Sequence, residues 1–309
     1  LKASGDRAVN MAITAFGNWF ARFQKTTKDY FLTGRSVPWW AICFTIVATE
    51  TSTLSFIGVP ASAYTGNMVF LQLALGYVIG RMLVSLLFIP AYFRGELFTS
   101  YELLQRRFGT SVKTVAAIIF LITRSLADGI RLFATALVIS GVTGVPVPWT
   151  VIILGAAMII YTVRGGVSAV IWTDVVQMFV YIAGALAVFF ALWSRIPGGW
   201  SEVMSAGAAA GKFVVLDLSW SLATIYTLWA GIIGGIALTL ATHGTDQFLV
   251  QRLLSARSLR DAQKAIIGSG IAVFVLMTLF LTVGIGLWAF FGGKNFASPD
   301  QVFPTFIFE

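Results

Sequence analysis

Seven stretches of this chain are long and apolar enough to cross a bilayer, and that leaves few folds open. They run over residues 37–60, 67–93, 113–140, 149–163, 167–194, 218–243 and 265–291. A hydrocarbon core takes about 20 apolar residues of helix, and backbone amides facing lipid must find partners within their own segment. The expected fold class is therefore an all-α polytopic membrane protein, with residues 1–309 forming a single transmembrane domain. Composition agrees: 58% of the chain is apolar and 11% is charged, whereas a soluble domain is roughly 25% charged. The fourth stretch is short, bounded by Pro146 and Pro148 before it and Arg164-Gly165-Gly166 after it. A further apolar run over 8–23 is too brief for a full span, and reads as part of a longer helix or as an interfacial one.

The net charge of +8 does not point to nucleic acid, because the basic residues are scattered through short connections between apolar runs. Counted on alternate connections, thirteen Lys and Arg fall on one side and five on the other, with Arg81, Arg124 and Arg131 inside spans. The richer side is cytoplasmic by the positive-inside bias, which makes this a multi-pass protein of the plasma (inner) membrane. The segment 141–148 reads as a tight uncharged outer hairpin, and 195–217, rich in glycine, as a longer irregular outer loop. Cys43 has no second cysteine to pair with, and the lone His243, next to Gly244, reads as structural. With no His/Cys/carboxylate cluster, phosphate-binding glycine loop or nucleophile–base pair, neither a cofactor nor an enzyme is expected. Both ends, Leu1 and Glu309, read as cuts in a longer protein.

Polar groups inside the spans are where function is expected, because an ionisable residue there is costly. The first span is apolar at its flanks, but residues 49–55 carry five hydroxyls and Glu50. Either the helix breaks there and turns carbonyls toward a cavity, or it continues with its Ser and Thr bonded back to i−4 carbonyls. Arg124, Asp128 and Arg131 share one helical stripe of the third span. They read as an Arg–Asp–Arg ladder, or as leaving one arginine to face an anionic solute or pair with Glu50. Asp174 lies eight residues past Gly166. At about 1.5 Å per residue that is about 12 Å into the membrane, short of the middle of a core of about 30 Å. It reads as an anchor of the cytoplasmic end or as an attractor of a departing cation. On the sixth span, Gly231, Gly234 and Gly235 allow close helix approach or a bend, and 246–252 reads as a cytoplasmic cap.

Three motifs together resemble the sodium:solute symporter family. They are Asp29-Tyr-Phe-Leu-Thr-Gly-Arg-Ser-Val-Pro-Trp-Trp40, the run Gly165–Gln177 with its Ala-Val-Ile-Trp-Thr-Asp core, and Thr245-Asp-Gln-Phe-Leu-Val-Gln-Arg-Leu-Leu-Ser-Ala-Arg-Ser258. The resemblance implies a leucine-transporter-type bundle of inverted five-helix repeats, with the first repeat complete and the first two helices of the second present. It implies a sodium ion held by backbone carbonyls of Ala48 and Thr51, with Glu50 and Ser52 beside them; the helix carrying the other half of that site is not in the sequence. Where sugar-carrying members place long polar groups, this chain has Ser55 and Thr239, which argues against a hexose. Gln72 is a candidate replacement contact, and Asp174 a gating or cation-exit residue. The implied function is sodium-coupled symport of a small polar organic solute by alternating access. The partners are then that solute, sodium and the lipid bilayer. A transport-inactive sensor or channel-like relative of the same fold is the alternative.

Overall fold

The polar run in the first span does what its composition allows. Helix α1 (Trp39–Glu50) stops, and helix α2 (Thr53–Thr65) leaves at 67° to it. The computed structural model describes residues 33–94, 99–221 and 223–308. The apolar run over 8–23 and the residues of the first family motif before Thr33 lie outside the described residues. Further helices are α3 (Phe70–Leu87), α4 (Ile89–Phe93), α5 (Ser100–Phe108) and α6 (Thr110–Thr143). They continue as α7 (Val147–Arg195), α8 (Gly199–Ala209), α9 (Leu228–Thr239), α10 (Gln247–Leu254), α11 (Leu259–Phe290) and α12 (Val302–Phe308). Among the described residues there is no strand, only an isolated bridge between Val37 and Ala256.

Among the described residues, four helical segments are long and apolar enough to cross a membrane: Phe70–Phe93, Gly166–Arg195, Leu228–Thr245 and Leu259–Phe290; the bent pair α1/α2 is a fifth candidate. Helix α6 has the length but carries Lys113, Arg124, Asp128 and Arg131, and Val147–Ile160 is shorter than a full span. Helix α7 is broken at Gly166, whose φ of +54° is open to glycine and strained for a residue with a Cβ.

Two sequence expectations are corrected here. The sixth span does not begin at 218: residues 214–221 and 223–227 are irregular and α9 starts at Leu228. The reason is local. Asp217 Oδ1 accepts the Ser219 N–H (2.9 Å), and Ser221 Oγ accepts from Ala223 (3.2 Å) and Thr224 (3.3 Å). These side-chain bonds compete with the helical ladder. Ser219, through its hydroxyl and its backbone N–H, holds the Asp217 carboxyl below the usual carboxylate range. Only Thr227, accepting from Ala230 N at 3.2 Å, starts the helix as an N-cap. The segment 195–217 is not wholly irregular either, since it contains α8.

The chain divides into two compact units: residues up to 46 with 87–175 and 244–265, and residues 47–86 with 176–243 and 266–309. The first has a small core of Tyr92, Val250 and Leu254, with Phe88 and Phe93 packed against it. In the second, Phe56 meets Phe280 and Phe303 edge-on at ring-centroid separations of 5.1 and 5.0 Å. Lys212 caps the end of α2, donating from Nζ to the carbonyls of Tyr64 (2.6 Å) and Gly66 (3.0 Å), and burial pushes its amine below its ordinary value.

Helices α3 and α9 cross with their backbones in contact. A Cβ on Gly235 would lie 2.8 Å from Gly76 Cα, one on Gly231 2.8 Å from Gln72 C, and one on Gly234 would meet nothing within 4 Å. Gly231 and Gly235 thus serve the close approach foreseen for the glycine triplet, and Gly234 does not. Gly235→Ala should lower the thermal unfolding midpoint in detergent, consistent with overpacking costs of about 1–3 kcal/mol. Gly234→Ala should leave it unchanged or raise it. Equal effects of the two changes would rule out the backbone contact.

Candidate functional site

At the break in the first span the last regular helical bond runs from Thr51 N to the Val47 carbonyl (2.9 Å). Ser52 N–H then turns toward Ser55 Oγ (3.5 Å), and Ser55 Oγ donates to the Glu50 carbonyl (3.3 Å). The Ala48 carbonyl is thereby left out of the i+4 ladder that Ser52 would have closed. Ala48 and Thr51 are both buried, and Thr51 Oγ1 has no hydrogen-bond partner among the described residues. A buried hydroxyl without a partner is costly. Here it lies three residues from a freed carbonyl, and oxygen donors of this kind are what a hard cation takes. The family resemblance implied an ion at Ala48 and Thr51, with Glu50 and Ser52 beside them; Ala48 and Thr51 are buried and Ser52 is partly buried.

Glu50 is not a bare carboxylate at that position. Its Oε2 pairs with Arg81 Nη2, and its Oε1 lies 2.8 Å from His243 Nε2. Arg81 is fully buried and also donates from Nη1 to Ser269 Oγ (3.1 Å), whose own hydroxyl goes to the Ile266 carbonyl (2.7 Å). His243 sits in a π-helical turn, Leu240–Thr245, that closes α9. The arginine envisaged for Glu50 on the third span is therefore Arg81 on α3. Neither Arg81 nor His243 figured among the sequence candidates. A charged residue within an apolar span was the available signal for the first; for the second, only its being the sole histidine.

The predicted solute contacts fare differently. Ser55 is partly buried at the start of α2, with its Oγ directed at the break. Thr239 is buried and packs its side chain on Gly80, where a Cβ would lie 2.6 Å from Thr239 Cβ. Gln72 is engaged: Nε2 donates to the carbonyls of Tyr226 (3.0 Å) and Val69 (3.4 Å), and Oε1 accepts from Asp217 N (3.0 Å). Its amide ties down the irregular segment before α9, and the solute role expected of it is withdrawn on that ground.

The other unit holds a second ionic cluster. Asp174 Oδ2 accepts from Thr45 Oγ1 and from Arg252 Nη2 (3.0 Å), while Arg252 Nε donates to Thr45 Oγ1 (2.9 Å) and Nη1 to the Phe248 carbonyl (2.8 Å). The guanidinium lies over the Phe248 ring at 4.0 Å. Asp246 caps α10 through the Phe248 N–H (2.7 Å). The signature segment and the 245–258 motif thus meet through Asp174 and Arg252, so the predicted cap at 246–252 is built around Asp174. Of the predicted ladder, Arg124 and Asp128 pair at 2.9 Å, and the Arg124 guanidinium also lies over the Phe248 ring, at 3.9 Å. A cavity of about 260 Å³ is lined here by Gly166, Val170, Phe248 and Arg252, among others. No group of three or more His, Cys, Asp or Glu suited to a metal occurs among the described residues.

An apolar span broken at buried oxygens is a feature found in ion-coupled membrane transporters. The profile of the sodium:solute symporter family matches residues 30–306, and the chain belongs to that family. It is 32% identical over 286 residues to the sodium/sialic acid symporter NanT of Aliivibrio fischeri, covering 91% of this chain and 55% of the relative. It is 31% identical over 289 residues to the sodium/glucose cotransporter of Vibrio parahaemolyticus, covering 90% and 53%. Among solved structures it is similar to a Na+-coupled sialic acid symporter in a substrate-bound, outward-open state. That similarity has a TM-score of 0.88 and 26% identity, covering 96% of this chain and 63% of that one. The chain spans about half the length of the curated relatives it matches.

Replacing Glu50 by Gln should destabilise the fold by about 3–5 kcal/mol, the cost of leaving a buried charge unpaired. Glu50→Gln with Arg81→Met should recover most of that loss. A double-mutant cycle on thermal midpoints checks it, and additive single effects would exclude the pair as a structural tie.

Proposed function

We propose that the protein containing this chain is a sodium-driven symporter of a small polar organic solute, working by alternating access as a single transmembrane transporter domain of the inverted-repeat type. One observation carries the proposal: the break at Thr51 and Ser52 frees the Ala48 carbonyl beside the buried, partnerless Thr51 hydroxyl. Sodium is a substrate of this cycle. It binds to the carbonyls of Ala48 and Thr51, with Ser52 at the turn, and holds α1 and α2 in the bent form against which the solute docks. Ser55 and Thr239 are the solute contacts proposed from this chain. Glu50 acts on the ion from its ion pair rather than by direct ligation, as a negative group adjoining Thr51.

Asp174 serves the cytoplasmic exit. Its carboxylate fastens Thr45 and Arg252, and the cavity beside Arg252 provides room for a departing ion or solute. The relatives whose names state a solute transport chemically different ones: sialic acid, glucose, monocarboxylates and iodide. The solute of this protein is accordingly proposed by class alone.

Uptake into proteoliposomes containing the full-length protein, with an inward sodium gradient and a panel of labelled sugars, amino acids and organic acids, tests the proposal. Accumulation of one solute that collapses when sodium is equal on both sides is expected. Uptake driven equally well by a proton gradient without sodium would refute sodium coupling. In the same preparation Asp174→Asn should slow initial uptake at least tenfold while equilibrium solute binding changes less than threefold, since a one-kcal difference in binding is already about fivefold. Parallel collapse of both would place Asp174 in the central site.

A further inference from the structure

Arg35 carries a charge that no carboxylate among the described residues meets. Its guanidinium lies over the Phe93 ring, 5.6 Å from the centroid, and its Nε is buried without a hydrogen-bond partner. Arginine stays charged in proteins and has only donors to offer. A buried donor left without an acceptor is costly, so an Arg35 held in this place calls for an acceptor from elsewhere.

The residue is held, and in a strained conformation. Thr33 and Arg35 have φ of +51° and +55°, in the left-handed region that residues with a Cβ rarely occupy. Such strain persists only where the surroundings impose it, and it clusters at ligand clamps and switch regions. Here the surroundings can be named. Ser36 donates to the Thr33 carbonyl from Oγ (2.8 Å) and from its backbone N–H (3.3 Å). Arg257 Nε donates to the Ser36 carbonyl (2.8 Å), and Val37 bridges to Ala256. Phe93 packs against the core of Tyr92, Val250 and Leu254, which fixes the ring under the guanidinium.

The neighbouring charges have the same sign. Arg94 follows Phe93 and is exposed, and Arg257 is exposed beyond its bond to Ser36. Neither is in an ion pair among the described residues. One loop and the two segments that hold it thus carry an arginine each, all on the side of the membrane richer in Lys and Arg. The depth is that of lipid headgroups. Helix α1 begins four residues past Arg35 with Trp39 and Trp40 exposed, and tryptophan concentrates at membrane interfaces. Phe93 ends the apolar segment Phe70–Phe93. Arg35 and Arg257 come from the first and third family motifs, and the transport reading uses neither.

We propose that Arg35, with Arg257 and Arg94, binds a phosphate group at the cytoplasmic membrane surface. Phosphate oxygens match the fork of a guanidinium, and arginine suits them better than any other side chain. A phospholipid headgroup and free phosphate offer the same chemistry; basic pockets at the cytoplasmic ends of membrane helices suit the former. The phosphate neutralises Arg35 and ties the loop before α1 to the segment before α11, to which Ser36 and Arg257 belong. The site is independent of the sodium reading above.

The test uses the full-length protein in a maltoside detergent, which brings no phosphate of its own. Phosphatidylglycerol is added in one arm. Inorganic phosphate is added in another, against chloride at equal ionic strength. Native mass spectrometry counts bound lipid, and the thermal unfolding midpoint reports stabilisation by either ligand. One retained phosphatidylglycerol is expected. Its affinity should be about tenfold weaker in Arg35→Gln, the order expected for a lost charge-assisted hydrogen bond. Arg195→Gln, which changes the net charge equally, should leave it unaltered. A rise in midpoint with inorganic phosphate that Arg35→Gln abolishes also supports the site, and makes free phosphate its occupant. Should Arg35→Gln not fold, Arg257→Gln, at an exposed residue, should weaken binding about threefold, and unchanged binding in that variant overturns the proposal. Equal binding of both ligands by wild type and Arg35→Gln overturns it as well. A lower midpoint of Arg35→Gln in that case shows that the guanidinium finds its acceptor within the protein.

Discussion

A guanidinium cannot be left alone in an apolar span. Arg81 is always charged, its side chain is fully buried, and it brings its counter-charge with it in Glu50. That requirement organises the second unit. The end of α1 must come to α3 to supply the carboxylate. The π-turn closing α9 must bring His243 to the carboxylate's other oxygen, and α11 must present Ser269 to the remaining guanidinium nitrogen. Four elements are fixed by satisfying one buried cation. The glycine contacts of Gly76, Gly231 and Gly235 allow α3 and α9 to approach closely enough for this, because a Cβ at any of them would meet backbone.

The first unit repeats the logic with a different arginine. Arg252 is buried, and its hydrogen bonds go to a carboxylate, a hydroxyl and a carbonyl, with an aromatic face against the guanidinium plane. Arginine suits this role better than lysine, since its planar fork reaches several acceptors at once while stacking on a ring. A lysine at the same place would offer a point charge to Asp174 and leave Thr45 or Phe248 unserved.

What could be read from the sequence follows from which interactions are local. The break at Thr51 and Ser52 was legible because its cause, a polar run within an apolar span, is contiguous. The break at Gly166 was legible as the boundary Arg164-Gly165-Gly166 between two apolar stretches. The partners of Glu50 were not, because Arg81 is 31 residues away along the chain and a lone cation in a span announces a cost without naming what meets it. Arg252 was read only as part of a cytoplasmic cap, and its pairing with Asp174, 78 residues away, becomes apparent only when the helices are packed. The start of α9 was misplaced for an instructive reason: Leu216, Leu218, Trp220 and Ile225 give 214–227 the hydropathy of a span. Asp217, Ser219 and Ser221 nonetheless bind their own backbone and prevent the helix. Hydropathy sums over residues, whereas capping depends on which one comes where.

Two irregular places within the helical spans, the break between α1 and α2 and the π-turn after α9, are joined by the same carboxylate. Irregular backbone has fewer internal hydrogen bonds to lose than a helix, so it is where a packed bundle bends first. The helices between are held by close backbone contact and resist deformation, because interiors at this density give way by discrete rearrangement rather than gradual strain. A change in the angle at Thr51 and Ser52 must therefore either carry His243 with it or break the bond from Glu50 to the ring. Whichever occurs, the buried charge on Arg81 feels it, and a ligand at the break can shift such an equilibrium only by as much as it binds one form better than the other.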